Sequence, residues 1–138
     1  MPEAGSRRRR RIRARLADDA GIGTLEFTIL APVIALVLCT GLQLGMWYLA
    51  QEAALTAARK AATAGAAYQS SPADGTSRAR AWLAGIHVLK DASVSSAGSS
   101  ADRVRVTVTG HGVSLVPGWT PKVSKSAEVP VERFDVGP

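Results

Sequence analysis

FTILAPVIALVLCTGLQLGM, Phe27–Met46, contains no charged residue. As a helix rising ~1.5 Å per residue it is long enough to cross a hydrocarbon core ~30 Å thick. Burying such a helix in a water-soluble domain would take a large protein around it, and the rest of this 138-residue chain is short and polar. The stretch therefore predicts a membrane span. Whole-chain mean hydropathy is close to neutral, so the apolar character is concentrated here.

Immediately upstream lies an arginine-dense leader, Arg7, Arg8, Arg9, Arg10, Arg11, Arg13 and Arg15, which with Glu3 carries the whole net charge of +6. The remaining basic and acidic residues balance. A high isoelectric point arising this way is not a nucleic-acid signature, and nucleic acid is not an expected partner. Arginines placed directly before a span are better explained by the bias that keeps Arg and Lys in the cytoplasm, with anionic lipid headgroups as a further contact. The predicted topology is a single pass through the cell membrane, with the N-terminus cytoplasmic and the C-terminal module extracytoplasmic. Trp47 and Tyr48 close the apolar run where an outer aromatic belt belongs.

Other readings of a basic start plus an apolar run fit less well. The single cysteine, Cys39, excludes an intrachain disulfide. Leu38 before it is too bulky for lipoprotein processing. The apolar run exceeds the ~7–15 residues of a secretory signal core, and the small residues Ala62-Thr63-Ala64 lie far past its end. A retained anchor is expected.

Residues 1–21 read as a basic cytoplasmic leader whose first 19 residues lack apolar periodicity and are expected to be flexible. In Asp18-Asp19-Ala20-Gly21-Ile22-Gly23-Thr24-Leu25-Glu26-Phe27 the two glycines oppose helix, so the boundary is expected to be extended and open to a protease.

Gly21, the hydrophobic Ile22, and Glu26 as the fifth residue counted from Ile22, followed by an apolar helix, resemble the processing site of type IV pilins and pseudopilins. Leu25-Glu26-Phe27, Ala31-Pro32, Gln43, Trp47-Tyr48 and the alanine-rich Ala53–Arg59 are closer still to TadE-like pilus-assembly proteins of the Tad (tight adherence) system. The resemblance covers about residues 18–68. It implies cleavage after Gly21 by an inner-membrane prepilin peptidase, then a role as a minor pilin or pseudopilin beside other Tad pilus subunits. Gly23 is a second candidate, and a cut there would put Glu26 third.

Physical chemistry gives Glu26 a meaning of its own. A carboxylate at the edge of hydrocarbon costs a few kcal/mol if left deep and unpaired. A cut before Ile22 would create an α-ammonium about one helical turn away, and side-by-side packing could set one chain's ammonium against the next chain's carboxylate. The bland reading leaves Glu26 solvated among headgroups. Within the span, Pro32 removes the donor that Thr28 O would otherwise accept, and a local kink is expected. Gly41-Leu42-Gln43-Leu44-Gly45 is a G-x-x-x-G pattern that would admit a second helix, with Gln43 placed for an interhelical hydrogen bond.

The helix is expected to continue outside the membrane, residues 22–68 in all, because Gln51–Ala67 is mostly alanine, and Ala50, Ala54, Ala58, Ala62 and Ala66 fall nearly in line. Residues 69–76 read as a linker and 77–138 as a small α+β module. Ser77 is the expected cap of a second helix to about Lys90, with Ala79, Trp82, Leu83, Ile86 and Leu89 as its apolar stripe. Arg103–Thr109 alternates with period two and is the clearest strand. Val123–Val131 alternates again, with Pro130 favouring an edge, and Ala92–Val94 and Val113–Val116 are further short candidates. The fold class is thus α+β: a long N-terminal transmembrane helix continuing outside the membrane, then one helix and a two- to four-stranded antiparallel sheet. A module this small holds little core alone, so the outer half of the long helix should pack onto it.

His87 and His111 have no carboxylate or cysteine at a metal-ligand spacing, and no nucleophile, phosphate-loop or paired-carboxylate motif occurs. No enzyme, metal or cofactor is expected. Three classes of function remain: a pilin-like structural or assembly component, an anchored extracellular binding module, and a factor secreted after signal cleavage.

Overall fold

The computed structural model describes residues 4–133, with their side chains from residue 23 onward. The side chains of the leader arginines and Ile22, and the surroundings of Gly21, thus lie outside what is described. Element order is α1 (Ala4–Ala66), α2 (Pro72–Ala84), β1 (Leu89–Ser95), β2 (Arg103–Gly112) and β3 (Lys122–Pro130). This is the expected α+β class. The chain falls into two compact units, Met1–Gly41 and Leu42–Pro138.

In the first unit the backbone departs from expectation. Residues 4–22 are helical, and α1 runs unbroken through Gly21 and Gly23, with Pro32 inside the helix as expected. A glycine costs only ~1 kcal/mol relative to alanine in a helix, too little to end one carried on both sides by Arg, Ala and Leu.

The second unit is built on the alanine face of α1. Ala50, Ala54, Ala57, Ala58, Ala61, Ala62 and Ala66 are essentially inaccessible to solvent. They share one core with Ala79 and Leu83 of α2, Leu89 and Val94 of β1, Val104, Val106 and Val108 of β2, and Val123 of β3. The expected in-line stripe is present. Ala57 and Ala61 join it because a helix turns 3.6 residues at a time, so its buried face takes in positions three as well as four apart. The helix does pack onto the module.

The sheet is antiparallel in the order β1-β2-β3. Alternation along β2 sends Val104, Val106 and Val108 inward, and Arg103, Arg105 and Thr109 outward to solvent. Its register with β3 runs from Arg103 opposite Pro130 to His111 opposite Lys122. Pro130 therefore ends an edge strand, where its missing N–H is tolerated. The β1 candidate at Ala92–Val94 lengthens to Leu89–Ser95, with a bulge between Lys90 and Ser93 in its pairing to β2. Val113–Val116 is not a strand; it belongs to the β2–β3 turn.

Helix α2 begins before the expected position and ends before Lys90. Ser71, not Ser77, is its cap: the Ser71 N–H and hydroxyl both donate to Asp74 Oδ2, at 2.9 and 2.6 Å, and the Asp74 N–H donates back to Ser71 Oγ at 3.3 Å. Pro72 occupies the first helical position, where its missing donor costs nothing. The supposed linker at residues 69–76 is therefore mostly the first turns of α2. Gly85 ends the helix, and Leu89 reaches the core from a strand instead of from the helical stripe.

Gly75 explains how α2 approaches α1 so closely. A Cβ there would run into the Ala61 carbonyl oxygen and stand 3.0 Å from Gly65 N. Around this crossing Lys60 Nζ lies 4.6 Å from the Trp82 ring centroid, and Arg80 donates to Val94 O at 3.1 Å, tying α2 to β1. After β3, the Glu132 N–H returns to Ala66 O at 3.0 Å and closes the end of α1.

Two expected outcomes follow. Gly75→Ala should destabilise the detergent-solubilised chain by ~1–3 kcal/mol in thermal or urea unfolding, because overpacking at Ala61 outweighs the helix propensity gained. Gly85→Ala, whose Cβ meets the Trp82 carbonyl oxygen at 3.6 Å, serves as the mild control. For Asp74, the hydrogen bond from the Ser71 side chain, reinforced by the Ser71 backbone, holds its pKa below the usual aspartate value. A depressed folded pKa means stability that is present above the unfolded pKa and lost as pH falls through the folded one. The melting-temperature gap between the parent chain and Asp74→Asn should therefore narrow on acidification below the ordinary aspartate range.

Candidate functional site

The surface of α1 from Leu25 to Leu49 is the chemically distinctive region. Leu25, Phe27, Ile29, Leu36, Val37 and Leu38 are 62–69% exposed. Hydroxyls on this surface are turned back onto the helix: Thr28 Oγ1 donates to Thr24 O at 2.7 Å and Thr40 Oγ1 to Leu36 O at 2.8 Å. Such i−4 bonds hide polar groups that an apolar solvent could not satisfy. Glu26 is exposed at the start of the run, and Cys39 is a free, exposed thiol within it. The helix from Gly23 on is long and apolar enough to cross a membrane.

The three residues singled out for helix packing have different surroundings. Gly41 and Gly45 are exposed, and a Cβ at either would meet nothing within 4 Å. Gln43 is 6% exposed and is engaged by its own chain. Its Oε1 accepts from Leu115 N at 2.7 Å and from Ser114 Oγ at 3.5 Å, while Nε2 donates to Val113 O at 3.4 Å. The amide that sequence pattern pointed toward a second helix thus clamps the β2–β3 turn to α1. No local signal could have indicated this, since Gln43 and Leu115 are far apart in sequence.

Strand pairing also brings Asp91 within 3.9 Å of His111 Nδ1, although sequence spacing put no carboxylate beside that histidine. The contact is one exposed pair at the β1 bulge. Among the described residues no three metal-ligating side chains gather.

A long helix with an exposed apolar surface, in a chain that also carries a small α+β head, is consistent with membrane anchoring. Residues 21–63 match the family model described as TadE-like protein, consistent with a TadE-like pilus-assembly protein. The match includes the Gly21–Glu26 boundary, the apolar run and much of the alanine face, and it stops before α2. Comparison with curated proteins and with solved structures finds no significant match.

Removing the clamp should be measurable. Gln43→Leu leaves the Leu115 N–H and the Val113 carbonyl without their partner, at a cost of ~1–3 kcal/mol. Hydrogen exchange should quicken at Leu115 while the paired amides of β2 and β3 stay protected.

Proposed function

We propose that the chain is a membrane-anchored, pilin-like structural or assembly component of a Tad-type pilus or secretion apparatus. The observation that carries the reading is the coincidence of the TadE-like match at residues 21–63 with a helix whose apolar surface is exposed. A surface of this kind needs lipid or sister helices around it. The TadE-like family is a pilus structural and assembly family, which fits a structural role for this chain.

In this reading the leader arginines hold the N-terminus in the cytoplasm, and a prepilin peptidase cuts after Gly21. Helical backbone at residues 21–23 would have to open locally for the peptidase, and two glycines make that opening inexpensive. The cut frees an ammonium on Ile22 near Glu26. Lateral packing then pairs this ammonium with the Glu26 carboxylate of a neighbouring chain, which relieves a charge that is costly at the hydrocarbon edge. Gly41 and Gly45 offer open positions where another subunit's helix can approach.

Mass spectrometry of the mature chain from cells should give an N-terminus at Ile22, and Gly21→Leu should leave the leader attached. An N-terminus at Met1 or Pro2 would rule out trimming at Gly21 and leave both an unprocessed assembly component and an anchored binding module open. Glu26→Ala should still be inserted and trimmed but should lose at least half of the dimer that oxidative Cys39–Cys39 cross-linking yields in membranes. Unchanged cross-linking would remove Glu26 from any part in association.

A further inference from the structure

The β2–β3 turn has a composition unlike the rest of the head. Val113-Ser114-Leu115-Val116-Pro117-Gly118-Trp119-Thr120-Pro121 carries no charge, and Leu115, Val116 and Trp119 are 52%, 52% and 46% exposed. Elsewhere on the sheet most outward positions are polar or charged, as at Arg103, Arg105, Ser124 and Glu128, and none is a large apolar side chain. An exposed apolar cluster confined to one turn calls for a partner.

Where the turn is held identifies that partner. The Leu115 N–H and the Val113 carbonyl are both bonded to Gln43, which lies within the uncharged run that ends at Met46. Gln43 is one helical turn before Trp47, about 6 Å along the axis toward the apolar end. Any depth that sets Trp47 and Tyr48 among headgroups therefore places the Gln43 clamp, and the turn it holds, at the hydrocarbon boundary.

Part of the backbone of the turn is already paired in a way that suits such a solvent. Ser114 Oγ accepts from Val116 N at 3.0 Å, Val116 O accepts from Trp119 N at 3.3 Å, and Pro121 O accepts from Gly112 N at 2.9 Å. Pro117 and Pro121 have no N–H to satisfy. Lys122, exposed at the end of the β2–β3 ladder, suits the headgroup layer just above.

We propose that the β2–β3 turn is a second membrane contact, inserting Leu115, Val116 and Trp119 into the interfacial layer of the bilayer from which α1 emerges. This rests on the membrane-anchor reading of α1. Two contacts, one through the helix and one through the turn, fix the tilt and rotation of the head on the membrane, where a helix alone would leave it free to swivel.

The three tryptophans allow a direct test in the full chain reconstituted into phosphatidylethanolamine–phosphatidylglycerol vesicles whose acyl chains are brominated near the headgroup. Trp47→Phe with Trp82→Phe leaves Trp119 as the reporter, and Trp82→Phe with Trp119→Phe leaves Trp47. Trp47→Phe with Trp119→Phe leaves Trp82, which stands over Lys60 in the head and serves as the control. Trp119 should be quenched to about the extent of Trp47, and Trp82 should not be quenched. Leu115→Ser with Val116→Ser should reduce Trp119 quenching at least twofold without changing Trp47. Quenching of Trp47 without Trp119 overturns the proposal and leaves the anchor standing. Trp119 emission that is blue-shifted but unquenched shows a protein covering the turn and also overturns it. Loss of quenching at both positions overturns the anchor reading together with this one.

Discussion

Contact between the alanine face of α1 and the valines of β2 is the constraint on which the head depends. Seven of its fifteen buried apolar residues come from the helix, and the largest fully buried side chains are Val104, Val106 and Val108. A three-stranded sheet with one short helix is too small to enclose a core without that face. Alanine buries little area per residue, so the stability of the contact comes from close approach and dense packing, which many small dispersion contacts reward. Gly65 and Gly75 serve the same end where α2 crosses. The head and the helix that carries it are consequently one folding unit from Leu42 onward.

Alpha1 meets two different demands along its length. Over the alanine segment its inward face is covered by protein, and around residues 25–49 its leucines, isoleucines and valines are bare. The polar groups in the bare part are handled one by one: Thr28 and Thr40 bond back to the helix, and Gln43 bonds to a turn of the head. Each arrangement removes a donor or acceptor that hydrocarbon would penalise by several kcal/mol. For Gln43 the effect is also mechanical, because satisfying its amide holds Leu115 and its neighbours beside the helix. A bilayer would be met by the bare residues and by that turn through the same apolar chemistry.

What could be read from the chain alone followed from local periodicity. The uncharged run Phe27–Met46, the alanine stripe, the alternation in Arg103–Thr109 and the edge placement of Pro130 each reflect a rule linking neighbours a few residues apart, and each is present in the fold. The start of α2 was misplaced for a reason that is also local: Ser71-Pro72-Ala73-Asp74 looks like a turn, yet its spacing is that of a capping box, and Gly75 inside the helix disguises it. The helical backbone through Gly21 and Gly23 reflects the opposite case, in which the helix formers on either side outweigh two locally unfavourable residues.

The sequence by itself determined the apolar anchor, the acid at its start, the alanine face and the α+β class, because these depend on side-chain type and short-range spacing. Tertiary structure alone decided that Gln43 serves the β2–β3 turn, that Gly75 admits the Ala61 carbonyl, and that Val113, Ser114 and Leu115 sit beside the last turn of the apolar run. Those facts join residues far apart along the chain, and only the folding of β2 and β3 against the helix brings them within bonding distance.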